Sequence, residues 1–345
     1  MKVLQIASSG MQFFNEQVRI LEQQGIECDV VYYKKGSLST NKHSESDDIL
    51  SRALNKIYGH NPLYYAYRAG TFYPEILKTS LASKYDVIHL NSGMVAPLGL
   101  AQPQRPIVLT LWGDDLLGDR LYGYQSSITK FCARRSDSVI VRSEEMDEAL
   151  SCDAHVIPSG VDMTKFSPMD QESAREQVGW NLDEHQVLFP YPPVQTKKRY
   201  PVARGIVERS SSKLDANVNL QVVTSAPHEQ MSLYYNAADV LLLPSLREGS
   251  PNTVKEAMSC NLPVVSTDVG DVKRRLGPVS NSYVCSDDSE LEDTLVSVLE
   301  TGDRSDGREY VTDVSLERMG ERIVSIYESL QRKNQHRKRI TARTE

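Results

Sequence analysis

Short runs of aliphatic and β-branched residues recur along the chain, and between them apolar positions return at helical spacing. Residues 3–7 form the first run, the small residues Ser8, Ser9 and Gly10 follow, and a helix is predicted over residues 13–24. Gly25 ends that helix, and a second run covers residues 28–33. Runs at 87–90, 107–111, 139–141 and 155–157 continue the series. Strands that alternate with helices imply an α/β fold with parallel sheets built from right-handed crossovers. The segment Pro158-Ser159-Gly160-Val161-Asp162, with Phe166 and Pro168 after it, breaks the rhythm. A domain boundary is therefore expected near Pro168.

A second series repeats the first, with strands predicted at 187–189, 219–223, 240–243, 263–266 and 283–284 and a helix over 251–259. Residues 316–330 form an amphipathic helix whose apolar stripe is Leu316, Met319, Ile323, Ile326, Tyr327 and Leu330. The expected organisation is one domain over 1–168, a second over 169–314, a helix over 315–331 and a flexible basic tail over 332–345. Two such domains imply a ligand cleft at the carboxyl ends of both sheets.

At 345 residues, 40% hydrophobic and 25% charged, the chain suits two domains of about 100–200 residues each. Its net charge of −7 lacks the broad basic footprint of a duplex-binding protein, so no nucleic-acid partner is expected. No run approaches the roughly 18 apolar residues of a membrane span. The short apolar start is unlike a signal peptide, and a cytoplasmic protein is expected. Cys28, Cys132, Cys152, Cys260 and Cys285 are scattered without a C-x-x-C pair, which reads as reduced and mostly buried. The tail carries +5 and leaves −12 on the rest. It reads as solvated, with a peripheral contact on an anionic membrane as the sharper alternative. Tyr58, Tyr64, Tyr65, Tyr67, Phe72 and Tyr73, with Arg68 among them, read as rings packing a helical excursion onto the first domain. The alternative is an acceptor- or membrane-facing surface.

The richest stretch chemically runs from Asp239 to Ser259. A strand ends at Pro244-Ser245, a loop carries Glu248 and Gly249, and a helix follows for which Ser250 fits the N-cap and Pro251 the first position. The first-turn amides and the positive end of the helix dipole make an anion site. Glu248 and Glu256 flank it. Carboxylates beside an anion repel it unless they turn to hydroxyl groups. A nucleotide sugar supplies both, with a pyrophosphate for the amides and sugar and ribose hydroxyls for the acids. Two surface glutamates beside a capped helix are the plain alternative.

The paired glutamates in E-G-S-P-N-T-V-K-E-A-M, followed by C-N-L-P-V-V-S-T-D-V-G-D from Cys260 to Asp271, resemble the E-x7-E signature of the retaining GT-B glycosyltransferases of family 4, or glycosyl transferases group 1. Ala238-Asp239-Val240 and the hinge sequence from Val156 to Asp162 fit the same family. Weaker matches lie at the Gly10 turn, Asp86-Val-Ile-His89 and Thr110-Leu-Trp-Gly-Asp114. The resemblance implies two Rossmann-like domains facing across a cleft, with the C-terminal helix crossing back to an acceptor-binding N-terminal domain. It implies that Glu248 holds hydroxyls of the transferred sugar and that Glu256 binds the ribose 2′- and 3′-hydroxyls. Gly249, Ser250, Pro251, Asn252 and Thr253 would meet the sugar and pyrophosphate. The family's lysine matches Lys198, or Lys197 beside it. Its Gly-Arg pair is replaced by Tyr191-Pro192, and Arg199 or Arg247 is left to stand in for the arginine. The family's H-G-x-D histidine is Trp112 here, before Gly113 and Asp114. This acceptor-side position keeps a donor and a stacking face but cannot accept a proton. His89 closes a strand and either faces the cleft or is a satisfied core histidine. His228, near the expected base loop, reads as structural.

The resemblance thus implies a metal-independent retaining glycosyltransferase without a cofactor. Its co-substrate would be a UDP- or GDP-linked sugar, and its acceptor a glycan or lipid-linked molecule in cell-surface polysaccharide or glycolipid assembly. Glu248, Lys198 and His89 are the catalytic candidates. Gly10, Lys197, Lys198, Arg199, Glu248, Gly249, Ser250, Pro251, Asn252, Thr253 and Glu256 are the donor contacts, and Trp112 and Asp114 mark the acceptor side. A sugar-nucleotide 2-epimerase of the same architecture and a catalytically silent nucleotide-sugar-binding subunit are the alternatives.

Overall fold

Eleven strands, all paired in parallel, make two sheets within residues 1–8, 12–32, 62–117 and 124–344, which the computed structural model describes. One compact unit comprises Met1–Ile157 with Gly320–Glu345, and the other Pro158–Met319.

In the first unit, β1 (Lys2–Ala7), β2 (Glu27–Tyr32), β3 (Val87–Leu90), β4 (Ile107–Thr110), β5 (Ser138–Val141) and β6 (His155–Val156) lie in the order β2-β1-β3-β4-β5-β6. β3 and β4 are buried at every position, which is why they appear as short, mostly apolar runs, broken only by His89 and Thr110, and not as alternating ones. Phe72 joins this unit's core, and the Tyr73 hydroxyl donates to the Ala101 carbonyl at 3.2 Å. Phe72 therefore packs inward, while Tyr73 is half-buried. Tyr58 and the side chains of Tyr64, Tyr65, Tyr67 and Arg68 lie outside the described residues.

The last helix, Leu316–Thr344, leaves the second unit and belongs to the first from Gly320 onward. Its fully buried Tyr327 binds His89 Nδ1 and accepts from Gln5 Nε2 at 3.2 Å. His89 Nε2 pairs with Thr110 Oγ1 at 2.7 Å. With both ring nitrogens occupied inside the core, His89 is an anchor for this helix and cannot serve as a catalytic group at a cleft. The helix also runs on through the segment expected to be a flexible tail. Beyond Gly320 it has neither glycine nor proline, and its Gln, Arg, Lys and Ala residues are good helix formers. Cations also suit a helix C-terminus.

Burial, with the Arg142 charge second, pushes the His89 pKa from 6.5 down to about 3. Between those values the unfolded chain binds a proton that the folded chain refuses. The ring's contribution is therefore complete above pH 6.5 and is lost as pH falls towards 3. The slope is at most about 1.4 kcal/mol per pH unit. Urea unfolding of His89→Gln across this range should show a shallower pH slope than the parent chain. Parallel slopes would contradict a histidine buried in its neutral form.

The second unit holds β7 (His185–Phe189), β8 (Val218–Val222), β9 (Val240–Leu243), β10 (Val264–Thr267) and β11 (Tyr283–Cys285) in the order β11-β10-β9-β7-β8. Its first residue is Pro158, ten positions before the expected boundary at Pro168. The reason is Phe166, whose buried ring meets His228 at 5.2 Å and Tyr235 at 5.7 Å in the second unit's core. The chain enters and leaves this unit side by side, since Val161 N donates to Val314 O and Leu316 N to Val161 O, both at 2.9 Å. A Cβ on Gly160 would lie 2.7 Å from Leu316 Cα, so this crossing needs glycine. All five cysteines are free thiols. Among the described residues no helix is long and apolar enough to cross a membrane.

Candidate functional site

In the second sheet the chain turns one way from β7 to β8 and the other way to β9. The loops after β7 and β9 consequently diverge at their carboxyl ends and open a crevice. Residue 198 lies on the first loop and residue 248 on the second, so the topology brings Lys198 and Glu248 together. Lys198 Nζ donates to Glu248 Oε1, and the two side chains are only 15% and 14% exposed. The ammonium also lies 3.7 Å from the centre of the Tyr191 ring. Burial lowers the Lys198 pKa, and the Glu248 charge opposes that shift. The Tyr191 hydroxyl pairs with Thr253 Oγ1, so one ring joins the lysine to the first turn of the next helix. Burial raises the Tyr191 pKa well above its ordinary value, and the charges of both Glu248 and Glu256 add to the shift. Both carboxylates are thus within electrostatic reach of this ring.

That helix spans Asn252–Ser259. Pro251, and not Ser250, is its N-cap, and no capping side chain covers the first-turn amides. Ser250 is engaged elsewhere: its hydroxyl donates to Asp271 Oδ2 at 2.8 Å and receives Lys255 Nζ at 3.2 Å. Lys255 is 1% exposed and also donates to the Ser159 carbonyl at 2.7 Å. One turn into the helix, Glu256 accepts from the Tyr235 hydroxyl at 2.7 Å and pairs with His228 Nε2 at 3.0 Å.

The Glu248 loop is fixed from below by the turn after β10. Asp271 N donates to the Gly249 carbonyl at 3.0 Å, and Arg275 Nε holds the Asp271 carboxylate at 2.9 Å. Gly270 has φ +57, and a Cβ there would lie 2.1 Å from the Gly249 oxygen. Gly270→Ala must therefore push the loop away as well as strain the turn, at about 1–3 kcal/mol for the backbone alone. A lowered melting temperature is expected, and an unchanged one would show that this contact does not hold the loop.

The structure thus gathers Lys198, Glu248, Gly249, Ser250, Pro251, Asn252, Thr253 and Glu256 within the second unit. It does not bring Arg199 to Glu248, because Arg199 Nη2 is bound to Asp288 at 2.6 Å. Lys197 and Arg247 are exposed. Gly10 and the Asp114 side chain lie outside the described residues. Trp112, in the first unit, donates from its indole to the Asn91 carbonyl at 2.9 Å and stacks 4.2 Å from the Arg142 guanidinium. Sequence reasoning missed Tyr191 and Tyr235 and set His228 aside as structural. Only Tyr191 carried a signal, as the residue in place of the glycine that the resemblance led one to expect.

Two family models match the chain: Glycosyltransferase Family 4 over residues 13–165 and Glycosyl transferases group 1 over residues 201–301. TuaC of Bacillus subtilis, named as a teichuronic acid biosynthesis glycosyltransferase, is 28% identical over 56% of this chain and 55% of its own length. A D-inositol 3-phosphate glycosyltransferase of Mycobacteroides abscessus is 31% identical over 33% of this chain and 31% of its own. The matched stretch therefore spans about half, or less, of these curated relatives. Among solved structures, sucrose-phosphate synthase from Thermosynechococcus elongatus superposes with a TM-score of 0.74 at 17% identity, covering 96% of this chain and 99% of that one. Anabaena HepE in complex with UDP gives 0.67 at 16%, covering 96% and 100%. At these identities the likeness speaks for the fold alone.

Proposed function

This chain belongs to the family 4 glycosyltransferases of GT-B fold, and from that membership we propose that it moves a sugar from a nucleoside-diphosphate donor to a glycan or lipid-linked acceptor, with retention at the anomeric carbon. The observation that carries the reading is the second unit's pairing of two carboxylates and one lysine around the uncapped first turn of the helix Asn252–Ser259. Glu248 takes hydroxyls of the sugar, Glu256 takes the ribose diol, and Lys198 with the helix amides takes the diphosphate.

The acceptor oxygen bonds to the anomeric carbon as the bond to the diphosphate oxygen breaks, and the acceptor proton passes to that leaving oxygen. The protein's task is to stabilise the charge that grows on the β-phosphate, which Lys198 and the amides do. Such chemistry asks for no metal. HepE's complexes with UDP and UDP-glucose support a uridine donor. The name of TuaC supports an envelope polysaccharide as the product. The basic end of the last helix supports a peripheral contact with anionic lipid.

Thermal-shift measurements with UDP-, GDP- and ADP-sugars test the donor, because a ligand of the folded state raises the melting temperature. Donor consumption in the presence of a crude acceptor pool then tests the reaction. Transfer supports the reading, while an epimerised sugar nucleotide would make the chain a 2-epimerase. Binding without turnover would make it a silent subunit, and no shift with any donor overturns the reading.

A further inference from the structure

Lys165 and His228 carry out no step of the transfer described above, yet they stand in line behind Glu256. Lys165 Nζ lies 2.9 Å from His228 Nδ1, and His228 Nε2 lies 3.0 Å from Glu256 Oε1. An ammonium can only donate, so Nδ1 must be the acceptor and Nε2 must carry the ring proton. His228 therefore donates to Oε1, while the Tyr235 hydroxyl donates to Oε2 at 2.7 Å. Phe166 holds both rings edge-on, at 5.2 Å from His228 and 5.7 Å from Tyr235. Asp162 Oδ1 fixes the turn that delivers Lys165 by accepting from its backbone N–H at 3.0 Å. Glu256 itself is 6% exposed, so water cannot readily replace a lost partner.

A carboxylate has two acceptor positions on each oxygen. Tyr235 and His228 occupy one on each and leave one acceptor position on each oxygen. Two donors on adjacent carbons, as in a ribose 2′,3′-diol, fit that remaining pair. Rotation about the last side-chain torsion would spoil the match, and that torsion is intrinsically soft. Holding both oxygens from behind removes the freedom.

We infer that Lys165, His228 and Tyr235 form a positioning relay that locks Glu256 for two-point recognition of a ribose diol, making the second unit selective for ribonucleotides over 2′-deoxyribonucleotides. The inference rests on the reading of Glu256 as the ribose ligand. Lys165 sets the tautomer, and His228 and Tyr235 set the carboxylate plane. None of the three touches the reacting sugar.

The test is calorimetry with whichever of UDP, GDP and ADP raises the melting temperature, alongside its 2′-deoxy counterpart. The parent chain should prefer the ribonucleotide by about tenfold or more, the loss expected for one charge-assisted hydrogen bond. His228→Phe should reduce that preference to about threefold or less. His228→Gln, which keeps a donor towards Glu256, should retain it, and Lys165→Met should fall between. A purely structural role would weaken both nucleotides in parallel and leave the ratio unchanged. If His228→Phe keeps the parent ratio while Glu256→Gln loses it, the relay is wrong and the ribose reading stands. If Glu256→Gln also keeps the ratio, or if none of the three nucleotides binds, the ribose reading falls and the relay falls with it.

Discussion

Glu248→Gln is expected to tighten the binding of a bare nucleoside diphosphate by about tenfold, while weakening the sugar nucleotide and cutting turnover by about a hundredfold or more. Lys198 is bonded to Glu248 and seated on the Tyr191 ring, both charges largely withdrawn from water. A diphosphate that recruits Lys198 must take it from Glu248. A sugar nucleotide compensates, because its sugar hydroxyls donate to the carboxylate that the lysine leaves. A bare diphosphate offers nothing there and strands a buried charge, which is costly. Glutamine keeps the shape and removes that charge, so Lys198 becomes easier to recruit. The sugar, however, loses its charged acceptor. In the parent chain the same exchange disfavours the spent diphosphate relative to fresh donor, which suits product release. Calorimetry with UDP and a UDP-sugar on both proteins, with donor consumption alongside, reads the effect. Equal weakening of the two ligands would sink the exchange.

Chemistry of this kind was legible only where sequence-local physics decides it. β3, β4 and β9 are buried on both faces, so each shows as a short, mostly apolar run between turn residues. Glu248 and Glu256 sit either side of one strand-to-helix turn, and their joint placement follows from that turn alone. The failures involve partners distant in sequence. His89 lies one residue before the end of β3, and its direction looked open until Tyr327, 238 positions away, filled the space against its ring. Ser250 has the right chemistry for an N-cap, but Asp271 and Lys255 compete for its hydroxyl and win. Lys165, His228 and Glu256 meet across separations of 63 and 28 positions, and no local pattern marks such a line. The expected boundary at Pro168 was misplaced because a proline reports a bend, whereas the burial of Phe166 decides which core the segment joins. Lys198 was identifiable as a cation near the site. That an aromatic ring and a glutamate would hold it could not be read from the loop.

Ending the chain after Ser315 is expected to destabilise the first unit severely, whereas ending it after Gln331 should leave its melting nearly unchanged. Between those points lie Ile323 and Tyr327, fully buried, and Ile326 and Leu330, nearly so. Burying each such side chain contributes about 1.5–3 kcal/mol. Losing four of them is comparable with the net stability of a whole domain, about 5–15 kcal/mol. Tyr327 adds a polar penalty, because without its hydroxyl His89 Nδ1 and Gln5 Nε2 lose a partner inside the core. Stranded buried groups of this kind cost about 1–3 kcal/mol each. Gly320 lies so close to the Gln24 side chain that a Cβ would come within 2.7 Å, which shows how tightly the helix seats there. Beyond Gln331, by contrast, Arg332, Lys333, Gln335 and His336 are exposed, and removing them uncovers little. Tyr327→Phe separates the two contributions, since it keeps the ring and removes only the hydroxyl. It should lower stability by about 2–6 kcal/mol, short of the truncation. Thermal and urea melts of the three variants beside the full chain decide the matter. If the chain ending at Ser315 melts like the parent, the last helix is an appendage and not a structural part of the first unit.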